Sequence, residues 1–74
     1  MKTADLIAKL PENIVNHVRE LGKRYNSSRN YTTSQLIYRS ALRQYTYGLK
    51  DARLITSREA AQLFVYGTCI YEDN

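Results

Sequence analysis

Residues 1–10 read MKTADLIAKL, and two backbone conformations fit them. As an extended strand, Leu6, Ala8 and Leu10 point to one side and Asp5, Ile7 and Lys9 to the other, because side chains alternate along a strand. As a helix capped by Thr3, the same stretch groups Leu6, Ile7 and Leu10, and Ala4, Leu6, Ala8 and Lys9 are good helix formers. Local propensity favours the helix, whereas the order of the elements that follow favours the strand. The fold class turns on this choice.

Pro11 ends the pattern and suits the first turn of a new helix, where its missing N–H costs nothing, with Glu12 favourable near the positive helix end. The spacing predicts a helix from about Pro11 to Tyr25, with Ile14, Val18, Leu21 and Tyr25 on one stripe and Val15 beside it. His17 lies at the edge of that stripe without a second metal ligand at a useful spacing, so no metal site is expected. NSSRN, residues 26–30, is turn chemistry. A second helix follows from the hydroxyl-rich start Thr32, Thr33 and Ser34 to about Tyr47, with Gly48 as its C-terminal cap. On that helix Ile37, Ala41, Tyr45, Tyr38 and Leu42 fall within an arc of about 140°, with Arg39 and Arg43 outside it. A connector, residues 49–55, leads to a third helix. There Thr56 and Glu59 have the spacing of a capping box, Ala60 to Val65 supply an apolar body, and Gly67 is the expected stop. Residues 68–74 fit either a short strand or a frayed end.

Seventy-four residues make one domain with a modest core, and pairing with a second copy is a natural route to stability at this size. The expected organisation is a body over residues 1–48 and a helical extension over 49–74 that packs on it. A single cysteine, Cys69, excludes an internal disulfide and is expected to be a small buried residue. No stretch resembles a signal peptide or approaches the ~20 apolar residues of a membrane helix, so a cytoplasmic setting is expected, bacterial or that of a virus or plasmid product in bacteria. One histidine, one cysteine, no paired carboxylates and no glycine-rich phosphate loop leave no catalytic constellation and imply no cofactor.

The charge is unevenly placed. All eleven basic residues lie in residues 1–58 against four acids, whereas residues 59–74 carry three acids and no base. Between Arg19 and Arg43 six basic residues face one acid, Glu20, a pattern that attracts phosphate. Seven tyrosines add amphipathic surface suited to interfaces.

Taken in order, Leu6, Ala8, Leu10 and Pro11, then Ile14, Val18 and Leu21, then Ser34, Ile37, Tyr38, Ala41 and Leu42 resemble the ribbon-helix-helix family of Arc- and MetJ-type repressors over residues 3–47. The resemblance implies a mainly α, intertwined homodimer whose paired strands enter the major groove, here with an extra C-terminal helix. It implies that Asp5, Ile7 and Lys9 face bases and that Thr32, Thr33 and Ser34 hold phosphates. Lys23, Arg24 and Arg29 add backbone contacts. The function expected on this reading is a sequence-specific duplex-DNA-binding regulator, a repressor acting on inverted half-sites. A related reading gives residues 59–74 a protein partner, as in an antitoxin, anchored by Phe64, Tyr66, Ile70 and Tyr71. If residues 3–10 are helical, the alternative is an all-α module of three or four helices that binds protein, such as a small virus-encoded inhibitor.

Overall fold

A strand at residues 3–10 needs a neighbour for its N–H and C=O groups, whereas a helix satisfies them within itself. In the computed structural model, which describes residues 2–28 and 32–69, the segment is helical. Four helices form among the described residues: α1 (Thr3–Lys9), α2 (Glu12–Ser27), α3 (Thr33–Asp51) and α4 (Ser57–Cys69). In α1 the Leu6 N–H donates to the Lys2 carbonyl at 3.1 Å and the Leu10 N–H to the Leu6 carbonyl at 3.2 Å. Leu6 is completely buried, and Ile7 and Leu10 pack beside it against the core. The extended reading is therefore corrected, and the two-chain ribbon goes with it. The apolar side chains of the segment cover their own chain's core, chiefly along α4. Of the two fold readings, the all-α one describes these residues. Thr3 is not the cap, since Lys2 occupies that position without a side-chain bond.

The stripe expected on α2 is the one found. Val15 and Val18 are buried, and Ile14, Leu21 and Tyr25 pack partly buried against the core. Val18 shares one buried cluster with Leu6 from α1, Leu42 and Leu49 from α3, Ile55 from the connector, and Ala60 and Leu63 from α4.

On α3 the register differs from the expected one. Its buried face is Leu42, Thr46 and Leu49, and Ile37 lies outside. Thr46 explains the rotation: it is fully buried because its hydroxyl donates to the Leu42 carbonyl at 2.9 Å, with the Arg43 carbonyl at 3.2 Å. A threonine satisfied by its own helix behaves as a core residue. Gly48 does not cap α3, which continues to Asp51. The reversal comes at Arg53, whose φ of 63° is left-handed, and the Leu54 N–H reaches back to the Leu49 carbonyl at 3.0 Å.

α4 starts as the capping box requires. The Glu59 N–H donates to the Thr56 hydroxyl at 3.1 Å, and the Thr56 N–H donates to the Glu59 carboxylate at 2.8 Å. Gly67 does not stop the helix. It is buried at a close approach, where a Cβ would stand 2.7 Å from Leu42 Cδ2 and 3.1 Å from Val18 Cγ1. Cys69 is exposed at the last position of α4 rather than buried.

Candidate protein-interaction surface

The residues expected to read bases sit on α1, and Lys9 is engaged within the fold. Its ammonium lies 2.9 Å from the Glu59 carboxylate, joining α1 to the start of α4. Ile7 is half-buried against the core and Asp5 is exposed. The resemblance assigned these three to a strand face, and the helix removes that face.

Glu59 holds its carboxylate through two contacts. The Thr56 backbone N–H first, and the Lys9 ammonium second, pull its pKa below the usual carboxylate value. A depressed native pKa contributes stability that is complete above the unfolded value and is lost as pH falls through the native one. The melting-temperature gap between wild type and Glu59→Gln is accordingly expected to be full near neutral pH and to narrow below about pH 4.3. A gap that stays constant down to about pH 2 would contradict this assignment.

The expected phosphate contacts among the described residues lie toward the end of α2 and at the start of α3. Thr32 is the N-cap of α3, its hydroxyl accepting from the Gln35 N–H at 3.2 Å, and Thr33 and Ser34 are exposed in the first turn. Lys23 is exposed on α2, and Arg24 pairs with Glu20 at 3.2 Å one turn earlier. α1 packs chiefly on α4. Of the expected partner anchors, Phe64 is half-buried, and Tyr66 is half-buried with its hydroxyl accepting from Arg19 Nε at 2.9 Å. Arg29, Ile70 and Tyr71 lie outside the described residues.

A different surface emerges on α3. The rotation that buries Leu42, Thr46 and Leu49 turns the opposite side of the helix outward. Thr33, Leu36, Ile37, Ser40, Ala41 and Gln44 line an open concavity there of about 410 Å³. Leu36 is 62% exposed and Ile37 58%, adjacent on the chain and both lining this concavity. Among the described residues the other exposed large apolar side chains are Leu54, in the connector, and Val65, on α4. Among the described residues, none of those lining it is charged, although 24% of the chain is.

Two arginines run along one flank of this face. The Arg39 guanidinium lies 5.7 Å from the centroid of the Phe64 ring and the Arg43 guanidinium 5.8 Å from that of Tyr47. Stacking of this kind holds a long side chain in place while leaving its charge available.

No family model, curated protein or solved structure matches the chain. The functional reading therefore rests on this surface. Among the described residues no group of three His, Cys, Asp or Glu side chains could hold a metal ion, and no helix is long and apolar enough to cross a membrane.

Leu36 is the residue that sequence reasoning missed. It fits no core stripe on α3 that also contains Leu42, and a large apolar residue left over from the stripe was the available signal. Arg39 and Arg43 were already visible as lying off the apolar arc.

Proposed function

We propose that this protein is a small all-helical protein-binding module whose contact surface is the outward face of α3. One observation carries the reading: Leu36 and Ile37 stand together in solvent on a helix whose opposite face already forms the core. Single exposed apolar residues are ordinary on protein surfaces, but an uncharged stripe with adjacent exposed Leu and Ile costs solubility unless something covers it. Aliphatic anchors in a shallow concavity with arginines at the rim are the composition of a protein interface.

Duplex-DNA binding by a basic homodimer is the second reading. Its support is the surplus of positive charge over residues 1–58. The phosphate backbone rewards charge, and the two exposed aliphatic side chains have no counterpart there.

The test is affinity capture from host extract with wild type, Leu36→Asp/Ile37→Asp and the control Val65→Asp, together with a duplex-DNA mobility shift at two salt concentrations. A protein retained by wild type and by the control, but lost with the double variant at unchanged far-UV circular dichroism, is the expected result. Equal capture by all three, or a salt-sensitive DNA shift indifferent to the double variant, would overturn the reading.

A further inference from the structure

The chemistry of the partner follows from what borders the apolar stripe. From Thr33 to Lys50, α3 contains no acidic residue, and its charges between Thr33 and Gly48 are Arg39 and Arg43. The carboxylate nearest in sequence, Asp51, lies beyond Lys50, which it meets at 3.4 Å. Glu59, the one acid of α4, is taken by Lys9 and the Thr56 N–H. Among the described residues neither guanidinium has a carboxylate partner, and each is held on an aromatic ring beside the stripe.

Resting on the protein-binding reading above, we propose that the occupant of this face is an acidic amphipathic helix. Its apolar residues would cover Leu36, Ile37 and Ala41, and its carboxylates would meet Arg39 and Arg43. Ser40 and Ala41 keep the middle of the stripe low between the bulkier side chains. Gly48 extends it with open space around its Cβ position. A ridge of large side chains on a partner helix packs into such a groove at an interaxial distance of about 8–10 Å. Thr33 to Gly48 spans about 22 Å of helix, the reach of a partner segment of roughly 15 residues. Arginine presents a planar fork to carboxylates, so the rim selects partners by charge while the stripe supplies the area.

The probe is a pair of synthetic amphipathic helices of that length with identical leucine stripes, one with glutamates along its flank and one with lysines. Binding is followed by backbone amide shifts of the whole protein at physiological salt. The glutamate peptide is expected to perturb Leu36, Ile37 and Ala41 and to bind about three- to thirtyfold more tightly than the lysine peptide. The preference should reverse in Arg39→Glu/Arg43→Glu and disappear in Arg39→Gln/Arg43→Gln, with both folds checked by thermal melting. Equal affinity for the two peptides at this face would overturn the charge selection while sparing the protein-binding reading. If neither peptide perturbs α3, the proposed occupant is wrong, and the capture experiment judges the broader reading separately. Larger perturbation of the same amides by a 20-base-pair duplex, or by raising the protein's own concentration, would replace the acidic helix with DNA or with a second copy.

Discussion

Leu42→Ala is expected to lower the free energy of unfolding by about 2–5 kcal/mol, the cost of deleting buried methyl groups and leaving a cavity. Leu42 is completely buried in the cluster with Val18 and Leu63, and its Cδ atoms fill the space beside Gly67. A 74-residue domain has a total stability of only about 4–11 kcal/mol, so this single change removes a large share of it. Urea denaturation followed by far-UV circular dichroism measures it, with Leu36→Ala as the comparison. Leu36, on the same helix but in solvent, is expected to stay within about 0.5 kcal/mol of wild type. Similar losses at the two positions would mean that the face of α3 turned to the core has been wrongly identified.

The second large effect is expected at Gly67. Replacement by valine adds a Cβ in a position 2.7 Å from Leu42 Cδ2, closer than carbon atoms pack, and 3.1 Å from Val18 Cγ1, a tight contact. Both neighbours are fully buried and have no solvent to move into. Overpacking of this kind costs about 1–3 kcal/mol and outweighs the few tenths of a kcal/mol of helix propensity gained on leaving glycine. Gly48→Ala provides the opposite sign. That glycine has an ordinary helical φ and open space at its Cβ position, so alanine is expected to stabilise by about 0.5–1 kcal/mol. The pair Leu42→Ala/Gly67→Val should be less destabilised than the sum of its parts by about 0.5–3 kcal/mol, because the new methyl groups enter the space vacated by Leu42. Strict additivity would show that the two side chains do not share this space.

Much of the helical framework was legible before any coordinates. The Thr56–Glu59 spacing located the start of α4, the hydroxyl-rich run Thr32 to Ser34 located the start of α3, and the apolar stripe of α2 was read correctly. Each depends on interactions among residues within a few positions of one another. The misreadings share a different origin. Residues 3–10 have helical propensity, and the strand was inferred from the order of the later elements, whereas burial of Leu6, Ile7 and Leu10 on their own chain decided for the helix. The core face of α3 was drawn too far toward Ile37 because Thr46 counts as polar on any hydropathy scale, and only its bonds to the Leu42 and Arg43 carbonyls make it a core residue. Gly67 looked like a stop because nothing local reveals that α4 passes close to Leu42 and Val18.

The same displacement of the α3 face accounts for the candidate site. Ile37 was assigned to the interior and Leu36 to no role, so their exposure side by side became visible only with the fold. The expected base contacts depended on an extended Asp5–Lys9 segment. With Lys9 paired to Glu59, that segment serves to hold α1 against α4.

Placing a photo-crosslinking amino acid at position 37, and separately at position 65, in cells that naturally produce the protein tests the outward face of α3 most directly. A discrete protein adduct is expected from position 37 and none from position 65. Absence of any adduct at position 37, or the same adduct from both positions, would contradict the assignment of this face as the binding surface.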